Sequence, residues 1–291
     1  MLRSACSICL LAVLNCAAQE MTPAVGGGDG STWNQEFLRY RLVRGKAITP
    51  MSTAGDNGIV VSGGDRLIPQ FVDGGFWQTS VTMVNLESHN TSFDILFFQD
   101  NGTDFVAPVV GMGPVRSVHI ALSPLASATF QTEGTAMFVT TGWALLSQPG
   151  TDAIGVFAIF RQTSPGGQPQ EAVVPAVSQT ENHFVMPFDN AGFITGIALA
   201  NPTLNIVNFP VNIRDEKGQI IDTRNFSLGP SSHTSFSLPD TWGTTAGRRG
   251  TIEFITSGFG LGALGLRFNG AAFTSIPTQP QSQIFKFIGT P

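Results

Sequence analysis

The feature that most constrains this chain is a long internal repeat. Residues 73–85 return as residues 189–201 with the same spacing of Asp, Thr and Asn. The offset of 116 residues persists without a gap to Gly102 and Gly218, and it becomes 106 from Leu122 onward. The first copy therefore holds ten additional residues between Gly102 and Leu122. Solenoid repeats are shorter, about 20–50 residues, whereas a β-sandwich domain has about 100.

Composition and turn spacing predict an all-β fold. Charged residues make up only 12% of the chain, while Gly (33) and Phe (23) are abundant. Short apolar or alternating runs, such as residues 77–84 and 93–98, lie between turns rich in Gly, Pro and Asn, and no amphipathic helical period separates them. The sequence therefore predicts two tandem antiparallel β-sandwich (Ig-like) domains, at residues 67–178 and 182–280.

The first 18 residues resemble an export signal. Arg3 is followed by an apolar run at residues 5–14 and by small residues up to Ala18. The run is too short to cross a bilayer, which takes about 20 apolar residues. We expect cleavage after Ala18, and the alternative is a lipid anchor on Cys16. Removal of the signal would leave a mature chain without disulfides or thiolate ligands, because it contains every cysteine of the sequence, namely Cys6, Cys9 and Cys16.

The segments that flank the repeat have their own patterns. Residues 19–66 form a Gly- and Ser-rich leader, expected to be flexible, with an alternating basic strand at residues 36–46. That strand is either a patch for an anionic polymer or an edge strand protected by its charges. Residues 281–291 form a C-terminal tail whose apolar alternation is compatible with one more edge strand. The net charge of −5 predicts no general attraction to nucleic acid.

Several strings of the sequence resemble a family of predicted secreted bacterial proteins in which β-rich units occur singly or in tandem. In the second copy these strings are residues 188–193, 198–202, 247–251 and 265–269, and in the first they are residues 142–144 and 159–162. The resemblance covers about residues 67–277. It implies export and a β-sandwich build, and it carries over no activity, cofactor or functional residue.

The sequence lacks the usual catalytic and metal-binding motifs. Its four histidines are far apart, without the H-E-x-x-H spacing, and no G-x-S-x-G elbow is present. Asp100 and Asp104 flank Asn101–Gly102–Thr103 like the start of a calcium loop, but the further ligands of such a loop are missing. A hairpin turn is the favoured interpretation. The sequence predicts no catalytic residue, no cofactor and no metal site.

Five residues are candidates for ligand binding. Asp73 and Asp189 are the acids repeated at the same place in both copies, and Arg161 and Arg267 each follow an apolar run at an offset of 106. These residues either form a shared ligand site or are structural, with each Asp capping its own turn and each Arg pairing with such a carboxylate. The fifth candidate is Trp242, whose loop position predicts an exposed ring.

These observations predict a non-enzymatic secreted or cell-surface protein with a scaffold or adhesion function. Its expected partners are extracellular polysaccharide or other surface proteins. A carbohydrate-binding module is the alternative, and it would require coplanar exposed rings with Trp242 among them. A secreted hydrolase is a third hypothesis, which would require two carboxylates facing each other across a groove. Fold class alone does not decide between them, because β-sandwiches have many functions.

Overall fold

A computed structural model describes residues 65–147, 152–163, 168–177, 182–256 and 260–280. The fold is all-β, as predicted, and its strands form several antiparallel sheets. The predictions for the signal, for the tail and for nearly all of the leader concern residues outside this description.

The first copy contains two four-stranded sheets and a small hairpin. The sheet orders are β1-β8-β3-β6 and β10-β9-β2-β7, and the hairpin is β4-β5. The strands are β1 (Arg66–Asp73), β2 (Trp77–Asn85), β3 (Thr91–Gln99), β4 (Ala107–Val109), β5 (Gly113–Val115), β6 (Ser117–Leu122), β7 (Ser127–Gln131), β8 (Thr140–Ser147), β9 (Ile154–Gln162) and β10 (Gln170–Pro175).

The second copy contains a five-stranded and a four-stranded sheet. Their orders are β14-β13-β16-β11-β19 and β15-β12-β17-β18. A helical turn α1 (Leu238–Thr241) and a 3-10 turn (Gly243–Thr245) follow the strand β15. The strands are β11 (His183–Asp189), β12 (Ile194–Ala200), β13 (Val207–Asp215), β14 (Ile220–Leu228), β15 (His233–Ser237), β16 (Arg249–Ile255), β17 (Gly262–Asn269), β18 (Ala272–Ile276) and β19 (Gln279–Pro280).

The repeat in the sequence is also a repeat of strand order. The order β1-β8-β3-β6 of the first copy corresponds to β11-β16-β13-β14 of the second, and β10-β9-β2-β7 corresponds to β18-β17-β12-β15. The hairpin β4-β5 lies within the ten additional residues of the first copy. Among the described residues of the second copy it has no counterpart.

Strand alternation explains how the core forms. In β2, every second side chain, including those of Trp77, Val81 and Met83, is buried and the alternate ones are partly exposed, because successive residues point to opposite faces. Opposite them, Phe93 and Phe97 of β3 are also buried. Each such Phe contributes about 1.5–3 kcal/mol through removal of its surface from water. The fold is thus β-sandwich-like and stabilised by apolar packing.

The two copies share one continuous apolar core. Leu264, Phe268 and Phe273 of the second copy belong to the same buried cluster as Val72 and Trp77 of the first. The rings of Trp77 and Phe273 lie 5.2 Å apart, at a tilt of 48°. Because this contact joins residues from both copies, unfolding of one copy would expose apolar surface of the other.

Candidate functional site

Asp73 and Asp189 end equivalent strands, β1 and β11, but differ in their surroundings. Asp73 is buried, and its Oδ1 accepts a hydrogen bond from the backbone N–H of Gly134 at 2.9 Å. Burial raises the pKa of Asp73, although hydrogen bonds from Thr132 and Gly134 act in the opposite direction. The carboxylate of Asp73 therefore bonds to backbone of a distant loop at Gly134, in addition to that of Gly74 in its own turn.

Asp189 forms the ion pair that the sequence predicted. Its Oδ2 lies 3.0 Å from an Nη of Arg267, and its Oδ1 lies 3.1 Å from Nε of Arg249. Burial alone would raise the pKa of Asp189, but hydrogen bonds from Arg267, Ala191 and Arg249 outweigh it and lower the pKa. The guanidinium of Arg267 also lies 3.3 Å from the ring centroid of Phe193, a cation–π contact. Every charged group of this cluster therefore has a protein partner.

The predicted equivalence of Arg161 and Arg267 is wrong by one residue. Arg267 lies opposite Thr195 in the sheet, whereas the residue opposite the equivalent Thr79 is Phe160. A shift of one residue turns a side chain to the other face of the sheet. The offset of 106 residues therefore matches the two arginines in sequence but not in position.

Arg161 consequently does not approach Asp73. Its side chain is nearly half exposed, and its Nε lies 3.5 Å from Oε1 of Glu171 on the adjacent strand. A surface pair of this kind contributes at most about 1 kcal/mol. The structure brings Asp189 together with Arg267, and it leaves Asp73, Arg161 and Trp242 in separate places.

The expectation of an exposed Trp242 ring is wrong. The side chain is fully buried, 5.4 Å from the ring of Phe226 at an angle of 16° and 5.6 Å from the ring of Phe236. Arg224 covers it further, with its guanidinium carbon 5.2 Å from the ring centroid. The turn α1 folds the ring inward, which a local pattern around residue 242 does not reveal. A ring without an exposed face cannot stack on a sugar.

Asn85 and Asn201 stabilise equivalent turns in the two copies. Both are fully buried at the ends of equivalent strands, β2 and β12. The amide Nδ2 of Asn85 donates to the carbonyl oxygens of His89 at 2.8 Å and Ser123 at 3.0 Å. Asn201 makes the corresponding contacts in the second copy. A buried amide that joins separate loops serves the fold, not a ligand.

The sequence suggested a choice between a turn and a calcium site near Asp100. The structure shows the turn, with Gly102 at a φ of 83° and its N–H bonded to the Gln99 carbonyl at 3.0 Å. The carboxylate of Asp100 accepts from Thr141 at 2.9 Å and lies 2.8 Å from Nδ1 of His233 in the second copy. Asp104 instead pairs with Arg116, at 3.3 Å. These carboxylates do not converge on one point.

A group of exposed apolar side chains, which we call the apolar tip, lies at one end of the first copy. The sequence patterns did not predict it. It consists of Phe76, Val110, Met112, Met137 and Phe138. Met137 is 83% exposed and Phe138 79%, and the other three are about half exposed. Strand β8 begins at Thr140, so Met137 and Phe138 lie in the loop that precedes it.

Backbone contacts hold the loops of the apolar tip side by side. The N–H of Gly75, beside Phe76, donates to the carbonyl of Ala136 at 2.8 Å. The hairpin β4-β5 joins the same end, because the N–H of Glu133 donates to the Pro108 carbonyl at 2.8 Å. The positive φ of Gly74, 80°, and its close approach to Phe138 leave no space for a side chain at position 74.

Comparisons with known proteins return no relative. No family model matches the chain, and neither the curated proteins nor the solved structures include a match. The resemblance to secreted bacterial proteins thus rests on the sequence strings alone. Within the described residues, no group of three or more His, Cys, Asp or Glu side chains is placed to hold a metal ion. Those residues likewise include no helix that is long and apolar enough to span a membrane.

Proposed function

We propose that this chain is a non-enzymatic scaffold or adhesion protein that contacts other surface proteins through its apolar tip. In this proposal, residues 67–178 and 182–280 are two tandem Ig-like β-sandwich domains. Residues 1–18 direct export, so the chain acts in the extracellular space or on the cell surface. The proposal is carried by the exposure of Met137 and Phe138, which are neighbours in the loop before β8.

A group of five exposed apolar side chains on neighbouring loops is typical of an interaction site. Single exposed apolar residues are common on soluble proteins, but neighbouring loops that all present them usually contact a partner. Two features of the tip favour such a role. The loops are anchored by backbone hydrogen bonds, which lowers the entropy lost on binding. One of them is the hairpin β4-β5, within the segment by which the first copy exceeds the second.

The polar residues support a non-enzymatic role, because their contacts are structural. Asp189 is paired with two arginines, and Asp73 is bonded to the Gly134 backbone. Trp242, on which the carbohydrate-binding hypothesis depended, is buried. A protein–protein contact through apolar side chains requires none of these groups.

The test uses mature chain, residues 19–291, coated on fluorescent beads and mixed with cells of the producing organism. We expect the double variant Met137→Ser/Phe138→Ser to bind about tenfold less, since two apolar anchors lost from an interface cost more than about 1.4 kcal/mol. Ile206→Ser is the matched control, because Ile206 is 62% exposed in the second copy.

Pretreatment of the cells separates the candidate partners. Protease treatment should abolish bead binding if the partner is a protein, and periodate, which cleaves sugar diols, should leave it intact. Loss of binding after periodate alone would favour the carbohydrate-binding hypothesis. Equal binding by the tip variant and the wild type would refute the role of the apolar tip, and release of reducing sugars from cell polysaccharide would refute the non-enzymatic assignment.

N-terminal sequencing of exported chain tests the localisation. We expect the mature protein to begin at Gln19 and to contain no free thiol. A lipid-modified Cys16 would show that the chain is anchored instead.

A further inference from the structure

One part of the contact between the two copies is an apolar sheet face of the first copy. This face, the junction face, consists of Leu96, Phe98, Trp143 and Leu145 on strands β3 and β8. Trp143 stacks on Phe98, with ring centroids 4.4 Å apart at an angle of 15°. Ala200 of the second copy packs into the same cluster, so the second copy covers the face.

A hydrogen bond fixes the position of the second copy on the junction face. The indole Nε1 of Trp143 donates to the carbonyl oxygen of Ser231 at 2.7 Å, and both atoms are buried. Ser231 has a positive φ of 51°, which turns its backbone toward the indole. Nearby, His233 bonds to Asp100 of the first copy at 2.8 Å and to Gln70 at 3.0 Å. The junction thus combines apolar contact with directional polar contacts.

The same sheet positions in the second copy carry polar residues. In the first copy Leu96 lies opposite Leu145, and Phe98 lies opposite Trp143. In the second copy the corresponding strands β13 and β16 pair in the same register. The four equivalent residues, which we call the polar face, are Asn212, Arg214, Thr251 and Glu253.

The polar face is a connected network around one carboxylate. Oε2 of Glu253 accepts from Asn212 at 2.9 Å and lies 2.8 Å from an Nη of Arg214. Oε1 lies 2.9 Å from Nε2 of His183 on β11. Glu253 itself is buried, while Arg214 and His183 remain about one-third exposed. A repeat docked on this face would desolvate these charges without giving them new partners.

Part of the surface that would dock there is present on the first copy. The turn before β7 is equivalent to the turn before β15, and Leu125 occupies the place of Ser231 with nearly the same backbone, at a φ of 57°. Leu125 is 75% exposed and Leu86 beside it is 55% exposed. Within the described residues, the Leu125 end of the first copy therefore contacts no junction face, unlike the equivalent Ser231 end of the second copy.

From this difference between the two copies we infer that the polar face prevents a second copy of the chain from docking head to tail on the second repeat. A head-to-tail contact between identical chains is heterologous, so it would propagate into a filament or, where the rotation closes, into a ring. Terminal units of repeat proteins commonly need a polar outer face for the same reason. The partner that the polar face excludes is thus the Leu125 end of another copy.

The test transfers the junction face to the second copy of the mature chain. The quadruple variant Asn212→Leu, Arg214→Phe, Thr251→Trp and Glu253→Leu should form assemblies whose mass rises with concentration, as measured by light scattering after size exclusion. The wild type, at the same concentrations, should not show that rise. Adding Leu125→Asp to the quadruple variant should restore the wild-type elution, because it places a charge at the docking end.

Two outcomes would overturn the inference. One is a folded quadruple variant, with a cooperative melting curve, that shows no assembly at any concentration. The other is assembly that Leu125→Asp does not reduce, which would mean that the new apolar surface adheres without using the junction geometry. If the quadruple variant does not fold, the double variant Arg214→Phe/Glu253→Leu, which removes both charged partners together, is judged by the same two criteria.

Discussion

Replacing Asn201 by Ala tests whether one buried amide holds together an end of the second copy. Its Nδ2 donates to the carbonyl oxygens of Asn205 at 2.8 Å and Gly229 at 2.6 Å, and its Oδ1 accepts from the N–H of Thr203 at 3.0 Å. The side chain is fully buried, so water does not replace these partners without rearrangement. The substitution removes these contacts at once, together with the bond that Oδ1 accepts from the Thr203 hydroxyl at 2.8 Å.

The expected loss follows from those contacts. A net hydrogen bond contributes about 1 kcal/mol, and a buried group left without a partner costs about 1–3 kcal/mol. Some of the partners regain water after the loop relaxes. Loss of these contacts should therefore lower the free energy of unfolding by about 3–4 kcal/mol. For a chain of this size that lowers the melting temperature by about 10 °C. Guanidinium unfolding of the mature chain, followed by tryptophan fluorescence, measures the free energy.

The control is Asn208→Ala, because Asn208 lies exposed on β13 and its loss should change stability by less than about 0.5 kcal/mol. Asn85→Ala should reproduce the Asn201 result in the first copy. A loss below about 1 kcal/mol for Asn201→Ala would refute the role of the amide network.

Further predictions concern the candidate residues. Asp189→Asn should destabilise the chain at pH 7 by about 1–2 kcal/mol, because it weakens the charge-assisted bonds to Arg267. Asp73→Asn should destabilise the chain less than that or stabilise it, because ionisation of the buried Asp73 is unfavourable. Folding lowers the pKa of Asp189, so its contribution to the free energy of unfolding is present above the unfolded pKa and is lost as the pH falls through the folded pKa. Folding raises the pKa of Asp73, which gives the opposite dependence of stability on pH. Urea unfolding between pH 3 and 7 checks both signs, and equal pH slopes in the two variants would contradict them. Trp242→Ala should lower the free energy of unfolding by about 3–5 kcal/mol, the cost of emptying a buried aromatic site, and an unchanged unfolding midpoint would show that the ring is not packed as described.

Local patterns in the sequence are sufficient to predict several features of the fold. The alternation of β2 and the Gly, Pro and Asn turns predicted an all-β chain, since a strand with one buried face requires that period. The spacing of the copies located the ten additional residues. The contact between Asp189 and Arg267 was also predictable, because both are charged residues next to the same strands.

Which sheet faces and side chains are buried depends on long-range contacts, and these are known only from the tertiary structure. Sequence similarity matched Arg161 to Arg267, but the sheet register differs by one residue, and one residue reverses the face of a strand. The burial of Trp242 and the exposure of Phe138 depend on which distant segments reach them, and a local pattern carries no such information. The same holds for Trp143 and its counterpart Thr251. Their strands correspond, yet one position is buried by a second repeat and the other faces water, because docking between the copies is a long-range contact.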